Sequence, residues 1–164
     1  PEGSAISPED AVAIGSQWLE QQGYDSMQES YYEINSNRIT INYAYAQNGS
    51  ILCYPDLIKL TVALDNGEVL EVEASGYLVS HQQRLEPTPA LTAEQAAQSL
   101  SQLLTVENSR LTVIPTSGQN EVFCWEFSCT SPKEEQVLVY VNAQTGAEEQ
   151  ILVVYTDENG TLTM

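Results

Sequence analysis

The chain has 164 residues, 42% of them hydrophobic, which is enough for one medium domain or two small ones and argues against wholesale disorder. Twenty-three acidic residues oppose five basic ones, and the net charge of −18 excludes nucleic acid as a favoured partner because such a surface repels phosphate backbones. No apolar run approaches the length of a membrane span, so we expect no membrane contact by this segment itself.

The first predicted element is a helix over residues 8–22. Ser7 is a good N-cap residue, Pro8 suits the first helical position, and two acidic residues follow where the positive end of a helix favours them. Small and apolar residues then recur at helical spacing and form one face: Ala11, Ile14, Gly15, Trp18 and Leu19. We expect this face to pack on a sheet, with Trp18 buried as a large aromatic.

Two antiparallel strands are predicted next, over residues 27–34 and 38–46, with the turn Asn35-Ser36-Asn37 between them. The second strand alternates strictly between apolar and polar positions at Ile39, Ile41, Tyr43 and Tyr45. Asn48-Gly49 predicts a further turn, after which residues 51–53 are expected to add a short strand edge.

The clearest local signal is a β-hairpin between Pro55 and Gly76. Because proline cannot donate a ladder hydrogen bond, the strand is expected to begin after Pro55. Apolar residues then alternate over residues 58–64 and again over 70–74, and Asn66-Gly67 between them suits the left-handed backbone of a tight turn. Nothing in this hairpin is typical of a catalytic site.

Residues 82–91 are predicted to be a linker because Pro87 and Pro89 interrupt any regular element. Thr92, with Gln95 three residues later, forms a capping-box signature at the start of a predicted helix over residues 93–104. Four further strands are predicted over residues 110–115, 121–129, 136–142 and 149–155, with turns at Ser117-Gly118, Asn142–Gly146 and Asp157–Gly160.

The order of elements in the second half repeats that of the first, since a capped helix precedes an antiparallel meander in both. The strand before each hairpin also matches, with VALDNGEV in the first half and VYVNAQTGAEE in the second. We interpret this as an internal duplication. The predicted fold is α+β, with two tandem modules over residues 1–81 and 92–164, each one helix packed on an antiparallel sheet, joined by the linker 82–91.

Few residues offer catalytic chemistry. His81 is the only histidine, and the neighbouring Ser80 lacks the glycines of a nucleophile elbow. Nucleotide-binding glycine loops and metalloprotease motifs are absent from the sequence. With this many acidic residues, chance pairs of carboxylates are expected, so a solvated face explains them better than a glycosidase dyad. A hydrolase that uses carboxylates or His81 remains the alternative to a non-enzymatic protein.

The three cysteines are an odd set without a CxxC pair: Cys53, Cys124 and Cys129. On one strand, Cys124 and Cys129 point to opposite faces and cannot bridge each other. Together with one histidine, these cysteines form no recognisable ligand set, and we expect no metal or cofactor.

Seven of the nine tyrosines fall in the first half. Exposed tyrosines favour protein interfaces, but tyrosine also fills the space between a sheet and a helix. Both explanations stay open. A partner-binding surface would draw on these residues: Tyr43, Tyr45, Tyr54, Tyr77, His81 and Arg84.

The hairpin resembles the signature hairpin of PepSY domains, in which a strand ends in a small acidic or amide turn followed by Gly and Glu. The strings YPDLIK, VALDNGE and GYLVSHQQR, in this order, resemble one PepSY-containing family in particular, the YpeB spore germination proteins. In the second half the resemblance continues in RLTVIP, in VFCWEF and in YVNAQTGAEE. The two predicted modules are therefore interpreted as PepSY-like.

The resemblance implies a non-enzymatic protein that stabilises, localises or restrains a cortex-lytic peptidoglycan hydrolase during sporulation and germination. It also implies an extracytoplasmic location, at the outer face of the spore inner membrane or in the cortex region, and an N-terminal anchor on the full-length protein. The first residue is Pro1, so a signal or anchor could have been removed with the preceding residues. PepSY modules elsewhere are thought to restrain peptidases, which makes a general peptidase inhibitor a further alternative. The resemblance assigns no catalytic residue.

Overall fold

The computed structural model describes residues 5–82, 84, 87–116, 120–157 and 160–163, with backbone only for 155–157 and 160–163, and it confirms a mixed α+β fold. The predicted turn at Ser117-Gly118 lies outside these residues. The three helices are α1 Pro8–Gln21, α2 Ser75–Ser80 and α3 Ala93–Ala97. The strands are β1 Met27–Asn35, β2 Arg38–Gln47, β3 Ile51–Ala63, β4 Val69–Glu73, β5 Thr105–Pro115, β6 Glu121–Thr130, β7 Gln136–Asn142, β8 Glu148–Asp157 and β9 Gly160–Thr163.

Helix α1 forms as predicted. The Ser7 hydroxyl accepts the backbone N–H of Asp10, which satisfies one of the free donors at the helix start. The face towards the sheet buries Ala11, Gly15 and Leu19 completely or nearly so. Trp18 packs against the edge of this core but is only partly buried, less than expected, whereas the neighbouring Leu19 is completely buried.

The nine strands of the described residues form one sheet, in the order β2-β1-β9-β8-β7-β6-β5-β3-β4, and β2 also pairs with β3. The sheet therefore closes back on itself. A short parallel pairing, Leu52 with Thr112 and Cys53 with Val113, connects the two halves on one side. An antiparallel pairing of Glu33 with Gly160 connects them on the other side. The two separate helix-on-sheet modules expected from the sequence are not observed, because these pairings merge their sheets.

Strand β3 runs through Pro55, so the prediction that the strand starts after this proline is wrong. Ala44 of β2 pairs with Leu57, whereas the next residue, Tyr45, pairs with Cys53. Residues 54–56 thus form a bulge without partners on β2. A proline is tolerated there because a bulged residue does not need to donate to the ladder. The predicted hairpin of β3 and β4 after the bulge is confirmed.

Helix α2 was not predicted from the sequence, where Gly76 was interpreted only as the end of a strand. A Cβ atom at Gly76 would lie 3.1 Å from the carbonyl oxygen of Pro55 and 3.2 Å from that of Leu57. Glycine therefore allows α2 to pack directly on the bulge. The expectation of a single helix in the first half is wrong, since this half contains α1 and α2.

Helix α3 begins as predicted, with both hydrogen bonds of the capping box between Thr92 and Gln95. It ends at Ala97, seven residues before the predicted end. The Ser99 hydroxyl donates to the carbonyl of Gly146, which ties the chain to a turn of the sheet. Strand β5 then starts at Thr105, earlier than predicted, because it pairs along the whole of β6.

The buried side chains fall into layers. One cluster packs α1 on β2 and β3 and includes Leu19, Ile41 and Tyr43. A second packs α3 on β6 and β7 around Phe127 and Val139. A third lies on the opposite faces of these strands, with Leu138, Tyr140, Ile114, Tyr31 and Tyr54 as members. The inner faces of the two halves therefore meet in a core of their own, and this contact positions the site described next.

Candidate functional site at the junction of the two halves

The bulge of β3 places two polar side chains at the junction between the halves. Tyr54 and Asp56 flank Pro55 within the unpaired residues 54–56. Tyr54 hydrogen-bonds to Glu126 and Arg110, whereas Asp56 hydrogen-bonds to Arg84 and His81, and Arg84 in turn binds Glu121. We call these sets the Asp56 cluster (Asp56, His81, Arg84 and Glu121) and the Glu126 cluster (Tyr54, Arg110, Glu126 and Tyr140).

In the Asp56 cluster, one arginine connects two carboxylates. Asp56 is 0% exposed, and Arg84 donates to it twice, from Nη2 to Oδ1 at 2.6 Å and from Nη1 to Oδ2 at 2.8 Å. The same guanidinium donates to Glu121, from Nη2 at 2.7 Å and from Nε at 3.0 Å. These hydrogen bonds raise the pKa of Arg84 above its ordinary value, so the guanidinium stays charged. The linker residue Arg84 thereby ties β3 to β6.

His81, which follows α2, completes the Asp56 cluster. Its Nδ1 lies 2.8 Å from Oδ2 of Asp56. The ring stacks on Tyr77 with centroids 4.3 Å apart and meets Tyr45 edge-on at 4.7 Å. A cavity of about 370 Å³ lies beside the imidazole and is lined in part by Ser80 and Glu121. The ring is thus held in one orientation at the mouth of a polar cavity.

The described neighbours of His81 determine which groups the Asp56 cluster could use chemically. Within the described part of the chain, no serine, threonine or cysteine side chain hydrogen-bonds to His81. The nearby thiol of Cys53 is buried, and burial raises its pKa to about 11, which keeps it protonated and poorly nucleophilic. Among the described residues, His, Cys, Asp and Glu side chains form no group of three or more able to hold a metal ion.

In the Glu126 cluster, a carboxylate with 1% exposure accepts hydrogen bonds from both halves. Its Oε2 accepts the hydroxyls of Tyr54 and Tyr140, each at 2.6 Å, and its Oε1 accepts Nε of Arg110 at 2.6 Å. Nη2 of Arg110 also donates to the Tyr54 hydroxyl at 2.9 Å. Burial, and then the charge of Glu126, raise the pKa of Tyr54 and of Tyr140 above the ordinary value for tyrosine.

The structure brings four of the six predicted surface residues together around Asp56: Tyr45, Tyr77, His81 and Arg84. Tyr54 lies apart from them in the Glu126 cluster. Tyr43 is completely buried, and its hydroxyl donates to the carbonyl of Val12 at 2.8 Å. The inclusion of Tyr43 in an exposed surface is therefore wrong, since it faces α1.

Sequence reasoning missed the two carboxylates on which the clusters are built. Asp56 was assigned no role in the sequence analysis. Glu126 stands between Trp125 and Phe127 in the apolar run Val-Phe-Cys-Trp-Glu-Phe, and a lone charge in such a run is itself a sign of a buried, paired group. Arg110, the partner of Glu126, sits directly across from it on β5.

The outer side of α2 carries exposed apolar side chains beside the Asp56 cluster. Leu78 is 71% exposed and Val79 is 72% exposed. We call these two residues the α2 surface. Among the described residues, no helix has the length and apolar content required to cross a membrane.

Comparison with known proteins places the chain in a family. A family model described as YpeB sporulation, PepSY1 and PepSY2 domains matches residues 1–87. Curated relatives include Sporulation protein YpeB of Halalkalibacterium halodurans, 32% identical over 89% of this chain, and Sporulation protein YpeB of Bacillus subtilis, 34% identical over 67%. The chain spans 32% and 24% of the lengths of these two relatives.

A solved structure shares the fold. The Bacillus megaterium YpeB C-terminal domain superposes with a TM-score of 0.79 at 28% sequence identity, and the match covers 90% of this chain and 65% of that domain. The shared architecture and the matching family model agree with the motifs quoted from both halves. This chain belongs to the YpeB family of sporulation proteins.

Proposed function

We propose that this segment is a non-enzymatic, extracytoplasmic binding module that stabilises, localises or restrains a cortex-lytic peptidoglycan hydrolase in the spore. The location would be the outer face of the spore inner membrane or the cortex region. The α2 surface carries the proposal, because Leu78 and Val79 are exposed on a helix fixed to the bulge, beside a cluster whose charges are already paired.

The charge of the chain favours a basic partner. With a net charge of −18, the segment attracts a positively charged hydrolase and repels an acidic one. The apolar side chains of α2 would supply the dehydrated centre of the contact, and the surrounding acidic residues its polar rim. Binding that is steered by charge weakens as salt rises, since exposed charges are screened beyond roughly 8–10 Å at physiological ionic strength.

The test measures binding of the purified segment to the cortex-lytic hydrolase of the same organism at increasing salt. Replacement of Leu78 and Val79 by serine should weaken binding strongly. Leu103, also 72% exposed but located after α3, provides a matched control, and Leu103→Ser should leave binding unchanged. If the segment neither binds the hydrolase nor alters its activity or its resistance to proteolysis, the proposal fails for this segment.

A second candidate function is hydrolysis by the segment itself. The hydrogen bond of His81 to a buried aspartate, beside a cavity, is the observation that favours it. Turnover of peptidoglycan fragments that His81→Gln abolishes would support this candidate.

A third candidate function is inhibition of peptidases in general. It predicts that the segment inhibits an unrelated peptidase as strongly as the cortex-lytic hydrolase in the same assay.

A further inference from the structure

One strand of the sheet has an open edge. Within the part of the chain that the structure describes, β4 pairs with β3 alone, whereas each of the other eight strands pairs with at least two neighbours. The outer edge of β4 therefore carries backbone N–H and C=O groups without ladder partners. Folded proteins commonly protect such an edge with lysine or proline, and residues 65–74 contain neither. The edge can thus pair with a further strand.

The ladder with β3 identifies the backbone groups that point outwards. Ala63 donates its N–H to the carbonyl of Glu68, so residues at every second position of β3, including Thr61, direct their backbone groups towards β4. Thr61 lies opposite Glu71, whose backbone groups therefore point inwards to β3. The N–H and C=O of the next residue, Val72, point to the open edge.

The side chain of Val72 lies on the face of the sheet that α1 covers. Val72 is exposed although it lies opposite Leu60, which is completely buried in the core beneath α1. Helix α1 packs on β1, β2 and β3, and an open groove of about 360 Å³ lies between this helix and the start of β4. Trp18 and Val69 line the groove and are both only partly buried. A strand added beside β4 would place every second side chain on this face, next to the groove.

The charge of the hairpin indicates which kind of strand fits. Residues 65–73 contain four acidic residues and no basic one: Asp65, Glu68, Glu71 and Glu73. Arg38, which pairs with Glu71, and Lys59, which lies opposite Glu73, belong to β2 and β3 on the inner side of β4. A strand on the outer side meets the same glutamates from the direction away from these cations. A second copy of β4 would place like charges side by side, which destabilises strand pairing, whereas a basic strand would be attracted.

We propose that β4 accepts an extended, basic segment of a partner protein as a further antiparallel strand. The segment alternates apolar residues with lysine or arginine. A residue directly opposite Val72 directs its backbone to β4 and its side chain to the α1 face, so this residue is apolar. The residues on either side of it carry the basic side chains, which lie on the opposite face beside Glu71 and Glu73. Main-chain hydrogen bonds supply the affinity, and the alternation supplies the specificity.

The test is a calorimetric titration of the folded segment with the N-acetylated, C-amidated heptapeptide Lys-Val-Lys-Val-Lys-Val-Lys. Two isomers of this probe carry equal charge, one N-methylated at its three valines and the other at three of its lysines. Because the valine N–H groups face β4 in the proposed register, methylation of the valines should weaken binding at least about tenfold, whereas methylation of the lysines should leave it within about twofold. Attraction between charges alone would not distinguish the two isomers.

Variants of the chain test the same contact from the other side. Val72→Pro removes the outward N–H without the loss of a hydrogen bond to β3, and it should weaken binding of the unmethylated probe by a similar factor. Val72→Thr keeps both the N–H and a branched side chain, so this matched control should bind as the parent does. Circular dichroism melts establish that both variants are folded, and the methylated probes test the proposal on the parent chain if Val72→Pro unfolds.

Equal binding of the two methylated isomers, no binding of the probe at millimolar concentration, or unchanged binding by folded Val72→Pro would each overturn the proposal. A parent chain that is dimeric and becomes monomeric on Val72→Pro would also overturn it, because the occupant would then be a second copy. This inference is independent of the proposed function. The Leu78→Ser and Val79→Ser variant should still bind the probe, so one proposal can fail while the other stands.

Discussion

The Asp56 cluster and the Glu126 cluster each surround a buried carboxylate at the junction of the two halves, but with different hydrogen-bond partners. Both join the two halves of the chain, and both contain a carboxylate with at most 1% exposure. Asp56 accepts hydrogen bonds from a bidentate guanidinium and contacts an imidazole nitrogen. Glu126 is matched by one guanidinium and two phenol hydroxyls. The first cluster contains two carboxylates that share one arginine, whereas the second contains one carboxylate and one arginine.

This difference decides which residue each cluster depends on. In the Asp56 cluster, Arg84 is the shared partner, so its loss removes the guanidinium from two carboxylates at once. In the Glu126 cluster, the carboxylate is the shared partner, so its loss leaves a cation and two hydroxyls unmatched. In a buried network, substitution therefore lowers stability most at the group with the most hydrogen-bond partners, whether that group is a cation or an anion.

Arg84→Met should therefore have the largest effect. It leaves Asp56 buried with only His81 beside it, and removal of one partner of a buried ion pair typically costs about 3–5 kcal/mol. Urea unfolding measures the loss in free energy of unfolding. Substitution of Arg38, which forms an exposed ion pair with Glu71, is the control for loss of an arginine outside the buried cluster. A loss under about 1 kcal/mol would show that the Asp56 cluster is hydrated in solution.

Glu126→Gln should follow, with a loss of about 2–3 kcal/mol, since hydrogen bonds to charged groups are each worth about 1.5–3 kcal/mol and the amide keeps part of them. The effect is smaller than that of Arg84→Met because the side chain of Arg110 is 32% exposed and can be hydrated. Equal losses for the two variants would contradict the proposed difference between the clusters.

Tyr54→Phe should cost about 1–2 kcal/mol by removal of one hydroxyl from Glu126. A double-mutant cycle with Glu126→Gln tests whether the contact spans the halves as a direct interaction. The two losses should not add, because Glu126→Gln weakens the same hydrogen bond that Tyr54→Phe removes. Additive losses would indicate that Tyr54 stabilises β3 by packing alone.

The free energy of unfolding should fall at alkaline pH, because the folded state favours the protonated form of a buried tyrosine in the inner core. Burial, and then the charge of Glu126, raise the pKa of Tyr31 from 10.0 to about 12. The native state therefore favours the protonated phenol, and this contribution is complete below pH 10 and is lost as pH rises towards about 12. Denaturant melts of Tyr31→Phe should show a shallower decline over that window than the parent protein. An unchanged slope would contradict the raised pKa.

Arg38→Ala should have the smallest effect. Its nitrogen lies 3.9 Å from Glu71, and both side chains are well exposed, so the pair contributes under about 1 kcal/mol. The same unfolding assay used for Arg84 measures this difference. A loss comparable with that of Arg84→Met would mean that burial does not control the strength of these ion pairs.

The sequence by itself determined the elements whose signals are local. The cap at Ser7, the capping box at Thr92 and the turn at Asn66-Gly67 each act within a few residues, and α1, the start of α3 and the hairpin formed as predicted. The motifs of the YpeB family were also recognisable, because they record order and spacing along the chain.

Tertiary structure alone decided how the halves meet. The passage of β3 through Pro55, the early end of α3 and the merging of the strands into one sheet all depend on partners distant in sequence. The candidate site could not be predicted from local sequence for the same reason. Asp56 and Glu126 act through Arg84, Arg110 and Tyr140, which are distant from them in the sequence. A buried charge is stable only where such partners converge, and the pairing of strands brings them together.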